Sequence, residues 1–330
     1  IRGQFFIAIT DILNAHYHIP INYIRSWFSI PEKITIDMKF KHLQRMTFNK
    51  EIALKEEKIT EDKKAITYPV NLTFNNKKYG AKISLYGVNL DHVNSDQYSM
   101  RIKLKKGAIM GMRKFVLMNP KVRYGLYDWF IHKLMRFEDL IHLRYKFVGV
   151  SLNSEDKGIY ILEELFGKEL IGNNRQRDGL ILIPKRPLKI YREDKLLLDP
   201  STVNSVYLIK KLFKSYREGD LHPKQLFDYQ KMSRFLAVVK LVGGEHSLIF
   251  DNIRFFFNPI TGRLEPIGRE FNIKTNIDLN IFQDELYRHL LTDPEFVTLY
   301  VQNLLRLSQP EYLDNLFSKF DLELRKNERF

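Results

Sequence analysis

The spacing of the apolar residues changes along this chain, and that change limits the folds available to it. From residue 65 apolar side chains recur at every second position, first over residues 70–74 and again over residues 79–85. Such alternation is typical of strands with one buried face. Asn75 and Asn76 separate the two runs. Because Asn is common in tight turns, the pattern predicts a hairpin.

A further strand is predicted where Met100, Ile102 and Leu104 alternate with Arg101 and Lys103. Successive side chains of a strand point to opposite faces, so the two cations are expected to lie opposite the core. Residues 123–140 show helical spacing, and residues 147–152 and 158–162 are predicted as strands joined by a loop at 153–157. Two more strands are predicted at 179–183 and 188–191.

Helical spacing dominates the remainder of the chain. Residues 203–216 and 223–242 carry apolar side chains three and four positions apart, and Gly243 and Gly244 close the second helix. One hairpin interrupts the helices, with strands at 252–257 and 263–267. The spacing therefore predicts an α+β protein with a β-rich N-terminal half and a mostly α C-terminal half.

Composition excludes several functional classes. The 330 residues include no cysteine, which excludes disulfides, thiolate zinc sites and cysteine nucleophiles. The sequence contains neither the GxGxxG nor the GxxxxGK[ST] loop of dinucleotide and P-loop sites. The net charge of +14 favours an anionic partner, although a solvated basic surface would explain it equally well.

The N-terminal residues suggest a fragment. The chain begins with Ile1, and no run of about 18 apolar residues follows. We therefore expect that a signal peptide or membrane anchor could stand upstream, with an extracytoplasmic or cell-surface location as one alternative. Residues 1–64 are interpreted as an N-terminal arm and helical connector.

Three segments resemble the CotH (spore coat protein H) kinase-like family. Residues 83–105 are similar to its glycine-bearing strand, polar loop and strand rich in Ser, Arg and Lys. Residues 111–129 and 147–166 resemble the region that ends in a G-x-Y-x-L-x-E strand. Residues 244–272 are similar to the segment that joins the catalytic loop to the metal-binding acid.

The resemblance implies a bilobal atypical protein-kinase-like fold. It predicts a β-rich nucleotide-binding lobe over residues 65–200 and a mainly helical lobe with a metal-binding hairpin over residues 201–330. It also implies an atypical protein kinase, with ATP and Mg²⁺ or Mn²⁺ as cofactors. The expected substrate is a Ser/Thr-bearing protein, such as a surface or coat protein, and no specific nucleic-acid partner is expected.

Asn252 and Glu270 are the candidate metal ligands. They flank the predicted hairpin, whose open end brings its two ends together, and they match the family's metal-binding Asn and acid. The alternative is a turn-capping Asn and a surface acid. Glu245 and His246, just before the hairpin, are the catalytic candidates, either of which could accept a hydroxyl proton. A plain helix C-cap is the alternative for this pair.

Arg101, Lys103, Glu163 and Glu164 are the candidate nucleotide-binding residues. A strand cation paired with one of the glutamates would hold nucleotide phosphates as kinases do. The alternative is a row of surface charges on an edge strand. The chain departs from the family at Tyr86 and Gln97, where members carry Lys. These departures leave two alternatives to catalysis open, namely a catalytically degenerate binding scaffold and a basic protein that binds anionic surfaces.

Overall fold

The computed structural model describes residues 31–123, 125–271 and 284–328. Eleven strands are formed there: β1 (Lys33–Met38), β2 (Tyr68–Phe74), β3 (Lys77–Leu85), β4 (Met100–Leu104), β5 (Lys114–Met118), β6 (Tyr145–Leu152), β7 (Glu155–Glu164), β8 (Leu180–Ile183), β9 (Lys189–Ile190), β10 (Arg254–Asn258) and β11 (Arg263–Ile267).

Eleven α-helices occur in the same ranges: α1 (Phe40–Lys55), α2 (Glu61–Ala65), α3 (Leu126–Phe137), α4 (Lys168–Asn173), α5 (Glu193–Leu197), α6 (Val203–Glu218), α7 (Pro223–Leu226), α8 (Tyr229–Val242), α9 (Glu285–Leu291), α10 (Pro294–Leu307) and α11 (Pro310–Asn327). No helix in these ranges is long and apolar enough to span a bilayer.

The first seven strands close into a barrel with the order β1-β2-β3-β4-β5-β7-β6. Closure depends on β1, which pairs antiparallel with β2 and parallel with β6. The Asn153 side chain accepts from the Met38 backbone N over 2.7 Å and donates to the Met38 carbonyl over 2.9 Å. This one side chain therefore completes the hydrogen bonding where the two closing strands meet.

The barrel interior is filled by the inward-facing residues of each strand. Alternate apolar residues of β4, Met100, Ile102 and Leu104, are all buried in this core. The opposite, outer face of the barrel carries a separate cluster that includes Val116 and packs against Trp129 of α3.

The second sheet has four strands in the order β11-β10-β8-β9. One face packs on helices through the large core that contains Leu182, Phe255 and Leu264. The other face, with Phe256 and Ile267, packs against α4 and the segment before β6. The sheet is thus covered on both faces.

The predicted bilobal kinase-like fold is wrong. The N-terminal sheet of the protein is a closed barrel, because residues 33–38 form a strand that pairs with β2 on one side and β6 on the other. The hairpin predicted within a mostly helical half is not isolated, since β10 also pairs with β8. Its strands start at Arg254 and Arg263, close to the predicted positions.

The turns lie where the sequence predicted them, but the turn after β6 is shorter than predicted. Asn75 and Asn76 both adopt left-handed backbone angles, as a two-residue hairpin turn of type I′ requires. The predicted loop at 153–157 is also a two-residue turn, because Asn153 and Ser154 are left-handed and β7 begins directly at Glu155. The helix that ends at Val242 is closed by left-handed Gly243, which confirms its predicted end.

Candidate functional site

The outer face of β4 borders a small basic cavity. Its volume is about 290 Å³, and Arg101, Lys103, Lys114, Phe166 and Tyr191 contribute to its wall. Because Ile102 and Leu104 fill the barrel core, Arg101 and Lys103 point away from it, as the alternation predicted. The cavity is thus lined by cations and aromatic rings.

Lys103 lies in a row of lysines across three strands. It is in register with Lys82 of β3 and Lys114 of β5. Desolvation lowers the pKa of Lys103, and the nearby Lys114 and Lys195 lower it further. No carboxylate forms an ion pair with Lys103 within residues 31–123, 125–271 and 284–328. An anion would therefore relieve the mutual repulsion of these lysines.

Tyr86 connects Arg101 of β4 to the end of the β10–β11 hairpin. The Arg101 guanidinium lies 5.3 Å from the centre of the Tyr86 ring. Arg269 Nη2 donates to the Tyr86 hydroxyl over 3.3 Å, and the same guanidinium forms an ion pair with Glu270. A continuous series of contacts thus runs from Arg101 to Glu270.

Two further arginine contacts surround Phe166, which lines the cavity. The guanidiniums of Arg254 and Arg269 each lie 5.6 Å from the centre of its ring. Burial lowers the pKa of Arg254 to about 10, and the charge of Arg269 contributes to that change. Because two guanidiniums lie against one ring and burial disfavours the charge of Arg254, this cluster also favours an anion.

Two buried donors beside Tyr86 have no acceptor. Nε of Arg101 and Nε of Arg269 are both buried and make no hydrogen bond in the part of the chain that the structure describes. A buried donor without a partner costs about 1–3 kcal/mol. A ligand oxygen that reached both groups would remove this cost.

Asn252 and Glu270 lie at the same end of the hairpin, as predicted. Arg254 and Ile267 are paired in register, and the two candidate ligands stand two and three residues beyond them. The Asn252 side chain donates from Nδ2 to the His246 carbonyl over 2.9 Å. This bond fixes the amide, so Oδ1 remains the atom suited to a metal. Glu270 has a left-handed backbone with φ of 54°, which is unusual for a residue with a side chain.

Asn252 and Glu270 could bind Mg²⁺ only together with oxygens from a phosphate-bearing ligand and water. They offer one amide oxygen and one carboxylate, whereas Mg²⁺ needs six oxygens and takes the rest from phosphates and water. No group of three His, Cys, Asp or Glu side chains is arranged for a metal in the described ranges. The resemblance to the CotH kinase-like family implies a second acid at the position of Asn272, and this residue lies outside those ranges.

Glu245 and His246 begin a short 3₁₀ turn, Glu245–Leu248, that ends four residues before Asn252. Glu245 Oε1 accepts from Lys240 Nζ over 3.3 Å, and its side chain is 25% exposed. The backbone carbonyl of His246 accepts the hydrogen bond from the Asn252 side-chain amide described above. The backbone of His246 is thus held beside Asn252, one of the candidate metal ligands.

The two glutamates of β7 have different environments. Glu164 is buried and bound by Arg144, whose Nε donates to Oε2 over 2.9 Å, so it does not pair with Lys103. Burial raises the pKa of Glu164, and Arg144 opposes the rise. Glu163 is also buried and shares the outer face with Arg101, because both are in register with Val116.

Sequence reasoning missed five residues that complete this surface: Lys114, Phe166, Tyr191, Arg254 and Arg269. The alternation of Phe115 and Leu117, both buried in the barrel core, is the sequence signal that could have placed Lys114 on the outer face. No local pattern predicts that two arginines from one hairpin meet the ring of Phe166. Tyr86, recognised only as a departure from the family, contacts both Arg101 and Arg269.

Comparisons with known proteins do not add a relative. No family model matches the chain, and the search of curated proteins found no match. The resemblance to the CotH kinase-like family therefore stays a prediction.

Proposed function

We propose that this protein binds ATP with a divalent metal and transfers phosphate to Ser/Thr hydroxyls of a protein. One observation carries the proposal. The contacts Arg101–Tyr86–Arg269–Glu270 join a basic cavity to a candidate metal ligand within one continuous surface. Phosphoryl transfer needs these two elements next to each other, because cations and metal share the phosphate charge.

The phosphate groups are assigned to the cavity beside β4. Arg101 Nε and Arg269 Nε are unsatisfied buried donors, and Lys103 adds a cation without an ion-pair partner in the described ranges. Arginine donors are well suited to phosphate oxygens because the guanidinium is planar and always charged. The rings of Phe166 and Tyr191 offer apolar surface in the same wall.

Asn252 Oδ1 and the Glu270 carboxylate would hold the metal, which would neutralise charge on the phosphates. Glu245 or His246 would take the proton of the attacking hydroxyl as its oxygen bonds to the terminal phosphorus and the bond to the bridging oxygen breaks.

A binding scaffold without catalysis is the second candidate. The Glu270 carboxylate is already bound by Arg269, and Glu245 is bound by Lys240. Glu270 must break its ion pair with Arg269 before it can bind a metal, and Glu245 must break its ion pair with Lys240 before it can accept a proton. A protein that binds nucleotide and transfers no phosphate would fit these contacts.

Thermal denaturation with ATP and Mg²⁺ tests the proposal. A ligand that binds only the folded state stabilises it by about 2.7 kcal/mol at 100 times its Kd. We expect stabilisation of the wild type and of Lys105→Ala, the next outward lysine of this segment, and its loss in Lys103→Ala. Equal responses of the two variants, or no response to ATP, would overturn the assignment. Stabilisation without transfer of labelled phosphate would favour the scaffold.

A further inference from the structure

A second and larger cavity lies between α3, the start of β6 and the end of α4. Its volume is about 430 Å³, which is within the range of small-molecule sites. None of the residues assigned to ATP lines it. It is therefore a separate feature of the molecule.

One wall of this cavity is a stripe of α3. Trp129, Lys133 and Arg136 stand four and three positions apart, so they share one face of the helix. Lys133 Nζ lies 5.3 Å from the centre of the Trp129 ring and forms an ion pair with Glu323 of α11. The stripe therefore combines an aromatic ring with one cation over it, Lys133, and a second cation, Arg136, one turn further along the helix.

The opposite wall is fixed by Asn174, which follows α4. Its Oδ1 accepts from the His142 backbone N over 3.0 Å, and its Nδ2 donates to the His142 carbonyl over 3.0 Å. These bonds hold the end of α4 against the segment before β6. Arg175 comes next, with a left-handed backbone, and its exposed side chain lines the cavity.

Basic side chains outnumber acidic ones in this lining. The cations are Lys133, Arg136, Arg144, Lys146 and Arg175, and the acids are Asp139 and Glu323.

Most of these charges have partners. Lys133 is bound by Glu323, Arg144 by Glu164, and Lys146 by Glu32. Asp139 is bound by Lys231, a residue outside the lining.

Arg136 and Arg175 are left without a carboxylate partner among residues 31–123, 125–271 and 284–328. Burial lowers the pKa of His142 between these walls, and the charges of Arg136, Lys133 and Arg144 lower it further. The cavity thus carries a net positive charge, because carboxylates neutralise only some of its cations.

We propose that this cavity binds a small phosphate-bearing anion, with Arg136 and Arg175 as its principal ligands. Two guanidiniums that line the same cavity suit the several oxygens of a phosphorylated molecule. Lys133 is a third potential ligand, and it becomes available to an anion when its ion pair with Glu323 breaks. Glu323 occupies the position of an anion and competes with the incoming phosphate.

Calorimetric titration of the whole chain with inorganic pyrophosphate tests this proposal. The Lys103→Ala background removes the contribution of the first cavity. Arg136→Ala and Arg175→Ala should each weaken binding about 10-fold or more, because a hydrogen bond to a charged group contributes about 1.5–3 kcal/mol. Citrate serves as a carboxylate anion of comparable charge and should bind more weakly than pyrophosphate.

Two variants make the test specific. Arg177→Ala removes the same charge from the same loop but does not line the cavity, so it should leave the affinity nearly unchanged. Glu323→Gln should tighten binding several-fold, because it releases Lys133. Equal weakening in Arg175→Ala and Arg177→Ala, no tightening in Glu323→Gln, citrate binding as tight as pyrophosphate, or no binding of pyrophosphate would each overturn the proposal.

Discussion

Truncation of Arg144 is expected to destabilise the fold strongly, because it leaves the Glu164 carboxylate buried without its cation. Arg144 donates to Glu164 Oε2 from Nε over 2.9 Å and from its backbone N over 3.2 Å, and Glu164 is 2% exposed. Breaking such a buried pair costs about 3–5 kcal/mol. Urea denaturation near neutral pH should show a loss of this size in the free energy of unfolding of Arg144→Ala.

The loss should shrink at low pH. Burial raises the pKa of Glu164 above its ordinary value of 4.5, and Arg144 opposes that rise. Without Arg144 the folded-state pKa rises further, while the unfolded-state pKa stays at its ordinary value. A raised carboxyl pKa costs stability where the unfolded carboxyl is ionised, and the cost disappears below the unfolded pKa. The defect should therefore fade as the pH decreases through 4.5.

The double variant Arg144→Ala/Glu164→Gln separates this charge effect from lost packing. It should recover part of the stability, because the neutral amide carries a smaller desolvation penalty. Recovery is expected to be incomplete, since Arg144 Nη1 also donates to the Met110 carbonyl over 3.0 Å. The exposed Arg113→Ala is the matched control. A loss below about 1 kcal/mol in Arg144→Ala, or no recovery in the double variant, would refute the assignment of Glu164 to a structural ion pair.

Three predictions concern the ATP site. Glu270→Gln should weaken ATP binding about 10-fold in the presence of Mg²⁺ and leave it unchanged without metal. Glu265→Gln, within β11, is the control and should show no metal-dependent effect. Calorimetry measures both affinities, and equal effects of the two substitutions would contradict metal ligation by Glu270. Tyr86→Phe should weaken ATP binding by up to about 10-fold, since the hydroxyl positions the hairpin arginine, and an unchanged Kd would exclude that role. Joint replacement of Glu245 and His246 by Ala should slow transfer of labelled phosphate at least about 100-fold with ATP affinity retained, and an unchanged rate would exclude both as the base.

The sequence predicted local structure correctly where the spacing of neighbouring residues was enough to determine it. Alternation in β4 placed Arg101 and Lys103 opposite the core, and the hairpin brought Asn252 and Glu270 to one end. Both results depend on neighbouring residues, so no distant contact was needed to reach them.

The fold and the ion pairs depend on distant contacts. Ile34, Ile36 and Met38 alternate within β1, but nothing local shows that this strand pairs in parallel with β6 and closes a barrel. The sequence predicts Glu164 as an acid of the phosphate site, whereas Arg144, 20 residues away, becomes adjacent to it through the pairing of β6 with β7.

The most direct test of the central claim is the affinity of Arg101→Ala for ATP with Mg²⁺, measured by calorimetric titration beside the wild type. Arg101 contacts Tyr86, lines the cavity and has a buried donor without an acceptor in the described ranges. If a phosphate oxygen accepts from this guanidinium, its removal should weaken binding about 10- to 100-fold. An affinity equal to that of the wild type would contradict the placement of the phosphates beside β4.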